Sequence, residues 1–320
     1  EPVWTALGLG IGTYLNWLLV SKRLRRYSSN IGAFTVPQFF SKRFHDDKNI
    51  LSAIAALVII IFFVPYTASG FAACGKLFNS LFGVDYTVAM VGSAIVIVLY
   101  TVTGGFKAVS TTDFIQSIVM SIALVAVLIY GIQTAGGMEA VIANAKALPG
   151  HLSLSDIYDV TTGSAMSYGG VIAIISTLAW GLGYFGMPHI LLRFMAIEDE
   201  NKLKLSRRVA TVWVFIAMGA AIVIGVVGLG VTNAGVLEYL DNASSAETIM
   251  VRLAGLISEH GILTAILAGV ILAGVLAATM STADSQMLAA ASSVSENIIG
   301  EFFGIKLDEK KKLVTARVAI

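Results

Sequence analysis

The chain has 320 residues, of which 57% are hydrophobic and only 13% are charged, and its mean hydropathy is +0.83. A soluble domain carries about 25% charged residues, so this composition excludes an ordinary globular protein and indicates a membrane protein. The net charge of +1 argues against a nucleic-acid partner, and a single cysteine, Cys74, excludes an intrachain disulfide or a cysteine-rich metal site.

Apolar runs of about 20 residues recur along the chain, and each is long enough to cross a bilayer. Because no water is present there, the backbone must pair within the segment, which favours helices. We therefore predict an all-α, polytopic transmembrane bundle that forms a single transmembrane domain, with seven full helices and one partial helix. The predicted ranges are about 3–21, 50–78, 87–103, 112–133, 166–187, 208–232, 262–298 and 313–320.

The ends of the sequence resemble cut ends. The chain does not start with Met, and the apolar helix that begins at Leu313 stops after about two turns. We therefore expect a fragment of a longer chain.

The Lys and Arg residues predict the orientation, because cytoplasmic loops carry an excess of both. Four segments on one side hold all but three of the 21, and we expect them to face the cytoplasm of a bacterial or archaeal cell. We interpret these charges as orientation signals and not as a ligand site. On the other side, 134–165 and 234–260 are expected to carry short helices. The basic segments are 22–48, 104–111, 188–208 and 301–317, and the exceptions are Lys76, Lys146 and Arg252.

The second predicted helix contains Pro65 followed by Tyr66. Proline removes one helical hydrogen bond and frees a carbonyl. The small residues that follow, from Ala68 to Gly75, permit close helix packing. Tyr66 is therefore a candidate solute contact, with ordinary packing as the alternative.

The fourth predicted helix opens with Asp113, directly after Ser110-Thr111-Thr112. A carboxylate at this point is a candidate cation ligand. The alternative is an acid stabilised by the dipole at the start of a helix.

The segment from Ala179 to His189 contains three glycines and a proline within eight residues, which disfavours a continuous helix. Broken helices at membrane depth form solute sites in secondary transporters, because free amides and carbonyls face the cavity. Trp180, Tyr184 and Pro188 recur every four residues and would share one face of a near-helical turn. We predict a site for a small zwitterion here, with a kinked, closely packed helix as the alternative.

The seventh predicted helix carries a polar stripe. Ala278, Ser281, Thr282 and Ser285 are spaced for one helix face and offer a carbonyl and three hydroxyls. Hard cations such as Na⁺ prefer oxygen ligands, and neutral ones suit an ion that must be released. Asp284 adds an acid within the membrane, which indicates function. The alternative is a hydroxyl face that bonds to its own backbone or to a neighbouring helix.

Taken together, four segments resemble the sodium/solute symporter family, in its sodium/proline branch, and they occur in the same order and spacing. They run from Tyr66 to Gly70, from Tyr100 to Asp113, from Trp180 to His189 and from Met280 to Gln286.

This resemblance implies a partial LeuT-type inverted-repeat fold that starts at the second of ten core helices, with a sodium site between the first and eighth. By position, Ala278, Ser281 and Thr282 match eighth-helix sodium ligands. Two features depart from the family: the first core helix is absent, and Met187 stands where some proline carriers have Gln.

The resemblance also implies two further sets of residues. The first would form a second cation position, to which Asp284 could contribute, and the second would surround the solute. The cation position comprises Asp113 and Ser285, and the solute contacts are Tyr66, Trp180, Tyr184 and Pro188.

We expect sodium-coupled secondary symport of a small organic solute, proline in the first place, by alternating access across the lipid bilayer. The solute could instead be a carboxylate, a vitamin, a sugar acid or a betaine. A solute-binding sensor or a channel is an alternative of another class. We expect no enzyme activity, because the sequence contains no recognisable nucleophile or acid–base constellation.

Overall fold

The structure of the chain is a computed structural model that describes residues 2–240 and 242–320. Helix is the dominant element. In chain order the elements are α1 (Pro2–Leu19), α2 (Ser21–Ile31), α3 (Val36–Arg43), α4 (Ile50–Phe82), α5 (Tyr86–Thr134), α6 (Met138–Ala147), β1 (Asp156–Asp159), β2 (Ser164–Ser167), α7 (Gly170–Leu178), a 3₁₀ segment (Ala179–Phe185), α8 (Pro188–Ala196), a 3₁₀ turn (Glu200–Lys202), α9 (Leu203–Asn233), α10 (Ala243–Ala246), α11 (Ile249–Ser258), α12 (Ile262–Ser292), a π-helix (Ser293–Phe302) and α13 (Glu309–Ala319).

Among the described residues, four helices are long and apolar enough to cross a membrane, and two bent pairs of helices also qualify if each pair is one span. The length and composition of these helices confirm the expectation of a helical membrane bundle. The four helices are Ile50–Phe82, Tyr86–Thr134, Glu200–Asn233 and Ile262–Phe302, and the bent pairs are Pro2–Leu19 with Ser21–Ile31 and Gly170–Phe185 with Pro188–Ala196.

Helix α5 joins two predicted helices. Its 49 residues would extend about 75 Å at 1.5 Å per residue, more than twice the hydrocarbon thickness. Within it, Gly105 leaves the helical conformation, with φ 63° and ψ −173°. The loop predicted over 104–111 is reduced to this one residue, because glycine alone occupies that backbone region without strain.

Regular structure also occupies segments predicted as loops. Helix α2, apart from its first residue, and helix α3 lie within 22–48, and neither contains the long apolar run from which the other helices were predicted. The segment 134–165 holds the expected short helix, α6, and also an antiparallel pair of strands that pairs Asp156 with Ser167. The segment 234–260 holds α10 and α11, and its residue 241 lies outside the described residues.

The chain divides into two compact units. The first comprises the residues up to Asn16, Ile118–Tyr184 and Arg207–Val275. Its apolar core brings Val127 of α5, Val227 of α9 and Leu253 of α11 together, all fully buried. Near the N-terminal end of α1, the Trp4 indole donates to the carbonyl of Leu154 at 2.7 Å, so α1 is tied to the loop before β1.

The second unit comprises Trp17–Ser117, Phe185–Ser206 and Leu276–Ile320. A buried polar network ties its π-helix to α3 and α4. The Asn297 amide donates to the Thr35 hydroxyl at 2.9 Å and to the Glu301 carboxylate at 3.0 Å, and the Ser52 hydroxyl donates to the same carboxylate at 2.6 Å. The expectation of one single domain stays a prediction.

Candidate functional site

The predicted sodium ligands of α12 lie close together in the second unit. The hydroxyls of Ser281 and Thr282 point to the carbonyl oxygen of Ala278, at 3.4 and 3.3 Å. Good hydroxyl–carbonyl bonds are about 2.7–2.8 Å long, so these contacts are weak and both hydroxyls can turn toward another partner at little cost. The structure therefore supplies three neutral oxygens on one helix face, in the arrangement that the spacing predicted.

Asp284 lies beside this stripe and is completely buried. Its Oδ2 accepts a hydrogen bond from the Tyr100 hydroxyl at 2.9 Å, and its Oδ1 has no hydrogen-bond partner among the described residues. A buried carboxyl with one oxygen left unpaired is costly, which indicates that it is kept for a function rather than for stability.

Asp113 and Ser285, the predicted second cation position, are bridged by an arginine. Nη2 of Arg193 lies 2.5 Å from Asp113 Oδ2 and donates to Ser285 Oγ at 2.9 Å. Sequence reasoning assigned Arg193 to orientation alone and missed this pair, because 80 residues separate the two partners. The position thus already contains a positive side chain, and cation binding there stays a prediction.

The alternative for Asp113, an acid at the start of a helix, is wrong. The structure places Asp113 inside α5, about two turns beyond Gly105, where the dipole of the helix terminus has faded.

A cavity of about 670 Å³ in the second unit borders this ion pair, and Arg193, Ser285 and His189 line it. The Nδ1 atom of His189 is buried without a hydrogen-bond partner among the described residues. Farther along the cavity wall, Lys312 pairs with Glu296 at 3.2 Å. One part of the cavity wall is therefore charged and polar.

The structure confirms the break predicted between Ala179 and His189. Helix α7 ends at Leu178, the 3₁₀ segment follows, and α8 begins only at Pro188. Proline suits the first position of α8 because its missing N–H is not needed there.

The shared face of Trp180, Tyr184 and Pro188 is not a feature of the structure. Four residues advance a side chain by about 40° in an α-helix but by about 120° in a 3₁₀ helix. Trp180 is 67% exposed, whereas Pro188 is buried at the start of α8. The tighter winding of the glycine-rich segment is the reason for the difference.

Helix α1 packs against this break by direct backbone contact. A Cβ added at Gly8 would overlap the carbonyl of Leu178, and one added at Gly12 would overlap the carbonyl of Gly181. One turn later, the Asn16 amide donates to the carbonyl of Tyr184 at 2.7 Å. Sequence reasoning missed this contact, although the four-residue spacing of Gly8, Gly12 and Asn16 was a signal for it.

Tyr66 lies in α4, which continues through Pro65. Its side chain is 45% exposed, and the Ser69 hydroxyl donates to its carbonyl at 2.6 Å. The neighbouring Thr67 is buried and donates to the Gln286 side chain at 3.1 Å, which links α4 to α12. The contact of Tyr66 with a solute stays a prediction.

The candidate residues are divided between the units. Trp180 and Tyr184 belong to the first, while Tyr66, Pro188 and all the candidate cation ligands belong to the second. The predicted meeting of the solute and sodium sites stays a prediction.

The chain is similar to curated bacterial transporters over its whole length. It is 39% identical over 321 residues to the osmoregulated proline transporter OpuE of Bacillus subtilis, 36% identical over 318 residues to that organism's high-affinity proline transporter PutP, and 35% identical over 324 residues to a sodium/proline symporter of Staphylococcus aureus. These alignments cover 99–100% of the chain but only 61%, 63% and 60% of the relatives. The chain therefore spans about three fifths of their length.

A solved structure of a Na⁺-coupled sialic acid symporter, in a substrate-bound outward-open state, matches with a TM-score of 0.78. The match covers 99% of this chain and 65% of that chain, at 15% identity. It shows the fold alone, which is the LeuT-type fold expected from the sequence. The model of the sodium:solute symporter family matches residues 1–320, and the chain belongs to this family.

Proposed function

We propose that the protein that carries this chain couples the entry of Na⁺ to the uptake of proline by alternating access. Its family consists of sodium:solute symporters, and relatives at 35–39% identity are named as proline transporters. The observation that carries the proposal is the group of three oxygens from Ala278, Ser281 and Thr282 on α12.

Sodium binds to this group through neutral oxygens. The two hydroxyls form only long contacts with the Ala278 carbonyl, so little bonding is lost when they turn toward an ion. Without a formal charge the ligands bind Na⁺ weakly, and weak binding allows release in each transport cycle. Further ligands come from outside α12.

A second cation at Asp113 and Ser285 requires Arg193 to move, because one nitrogen of its guanidinium contacts both side chains. Asp284 would then contribute its unpaired oxygen. We infer that a single sodium at Ala278, Ser281 and Thr282 drives transport while the Arg193 pair is intact.

The solute binds at the broken helix. Free amides there suit a carboxylate and free carbonyls suit an ammonium, the two charged groups of proline. Trp180 and Tyr184 lie in the break itself and supply aromatic surface, while solute contact by Tyr66 and Pro188 stays a prediction from the sequence.

The driving force is sufficient for accumulation. One Na⁺ that crosses a potential of 100 mV releases about 2.3 kcal/mol, which concentrates a neutral solute about fiftyfold.

Uptake into the cell requires the Lys- and Arg-rich segments to face the cytoplasm, as the positive-inside rule predicts for a protein of the bacterial cytoplasmic membrane.

Uptake of labelled proline by vesicles that contain the full-length protein, at graded sodium concentrations, tests the proposal. We expect Ser281→Ala and Thr282→Ala each to raise the half-saturating sodium concentration at least tenfold. Thr264→Ala is the matched control, because it removes a hydroxyl from the same helix near its start, away from Ser281 and Thr282, where the hydroxyl donates to the Gly261 carbonyl. Unchanged sodium dependence in both variants would contradict the assignment.

The second candidate function is sodium-coupled transport of a solute other than proline. Met187 favours this candidate, because some proline carriers have Gln at this position. Competition for uptake by unlabelled carboxylates, sugar acids and betaines distinguishes the two. Inhibition by proline alone supports the first candidate.

A further inference from the structure

The broken helix of the first unit rests on α1 without intervening side chains. Gly8 and Gly12 of α1 lie against the backbone of Leu178 and Gly181, and any larger residue at these glycines would collide with it. Such contact is typical of helices that approach through small residues four positions apart.

Asn16 continues the same face of α1, four residues beyond Gly12. It is only 1% exposed, although its side chain is an amide. Its Nδ2 donates to the carbonyl of Tyr184 at 2.7 Å, which is a good hydrogen-bond distance. Its Oδ1 is buried and has no partner among the described residues.

The Asn16 amide reaches the Tyr184 carbonyl near the end of the 3₁₀ segment, where the helix stops before α8 begins. Carbonyls at helix ends have no partner within the helix, and the bilayer offers no water to replace it. The Asn16 amide therefore fixes the backbone at the point where the segment carrying Trp180 and Tyr184 ends.

The unpaired Oδ1 of Asn16 argues against a purely structural role. A buried acceptor without a donor destabilises the folded protein, and a leucine of similar size would avoid that cost at position 16 but would take the Asn16 donor away from the Tyr184 carbonyl. Asparagine at this position is therefore explained by the bond that it gives to Tyr184.

We propose that Asn16 is a positioning residue of the solute site: through the Tyr184 carbonyl it holds the broken helix in the conformation that binds solute. Its own amide is buried and does not touch the solute. This inference rests on the proposed function, because it assumes that Tyr184 lies in the solute site.

Asn16→Leu removes the donor and the orphaned acceptor together while it keeps the volume. We expect the KM for proline at saturating sodium to rise at least tenfold, and the binding of sodium alone to change less than twofold. Asn233→Leu is the matched control, since Asn233 donates to Asn144 at 3.2 Å on the surface of the same unit. The control should leave both quantities unchanged.

Asn16→Asp keeps the shape and tests the donor directly. An ionised aspartate cannot donate to the Tyr184 carbonyl, whereas a protonated one can. The KM of this variant, divided by that of the unchanged protein at the same pH, should fall several-fold from pH 8.5 to pH 5.5. A role in packing alone would give a ratio independent of pH.

The outcomes distinguish a failure of the proposed function from a failure of the proposed role of Asn16. Proline uptake that does not depend on sodium in the unchanged protein overturns the proposed function. Sodium-dependent uptake with a KM changed less than twofold by Asn16→Leu overturns the role of Asn16. If the leucine variant does not fold, a pH-independent ratio for Asn16→Asp overturns it instead.

Discussion

Two interruptions of helices, at Gly105 and at Gly181, depend on glycine for different reasons. At Gly105 the backbone has φ 63°, and no described atom lies within 4 Å of where a Cβ would stand. At Gly181 a Cβ would overlap the carbonyl of Gly8 and come within 3.2 Å of Gly12. The first glycine provides a backbone conformation and the second provides space.

The segments next to the two glycines are also held in place by different kinds of contact. Beyond Gly105, α5 continues and is held by a charge pair between Asp113 and Arg193. The segment around Gly181 is held by backbone contact and by the Asn16 amide. Close contact with a second backbone thus distinguishes the interruption at Gly181, which we assign to the solute, whereas a positive φ distinguishes the one at Gly105.

The largest effect is expected for Gly181→Ala. The added methyl group must push α1 and the 3₁₀ segment apart, at a cost of about 3 kcal/mol. Thermal denaturation in detergent should show a markedly lower midpoint, and proline uptake should be lost. Gly183→Ala is the control, because no described atom lies within 4 Å of its added Cβ. Equal effects of the two variants would remove the distinction that we draw between them.

A smaller effect is expected for Arg193→Gln, which leaves the Asp113 carboxylate without its partner. Loss of a buried pair costs about 3–5 kcal/mol, and because the Arg193 side chain is 36% exposed we expect about 2 kcal/mol. Addition of Asp113→Asn to this variant should recover most of the loss, as measured by the same denaturation assay. Additive losses would mean that the two groups do not interact.

The smallest effect is expected for Gly105→Ala, where only the backbone conformation resists the methyl group. Strain of this kind costs about 1–3 kcal/mol, and the free space around the residue favours the low end. Gly92→Ala, in a regular part of α5 with equally free space, should be neutral or slightly stabilising. A destabilisation by Gly92→Ala as large as that by Gly105→Ala would argue against the conformational explanation.

Much of this architecture could be predicted from local sequence. The long spans follow from apolar length, the interruption before Pro188 from three glycines and a proline, and the grouping of Ser281 with Thr282 and Ala278 from helical spacing. These features depend on residues within a few turns of each other, which a periodic pattern describes well.

The features that sequence reasoning missed depend on distant partners or on fine geometry. The partner of Arg193 lies 80 residues earlier, and that of Asn16 lies 168 residues later. The 3₁₀ winding turns the side chains of Trp180 and Tyr184 in different directions. Glycine permits several backbone conformations in this segment, and packing against α1 decides which of them is adopted. Polar helices such as α2 carry no apolar run to reveal them.

Helix α1 is hydrogen-bonded near both of its ends and therefore links two distant parts of the first unit mechanically. Trp4 is bonded to Leu154 near the hairpin, and Asn16 is bonded to Tyr184. From Trp4 to Asn16 the helix makes twelve steps of 1.5 Å, a length of about 18 Å, with no proline between them to bend it. A displacement of the Tyr184 backbone is therefore transmitted along α1 to Leu154, next to the hairpin of β1 and β2. A spectroscopic probe near Leu154 would report such movements of the broken helix.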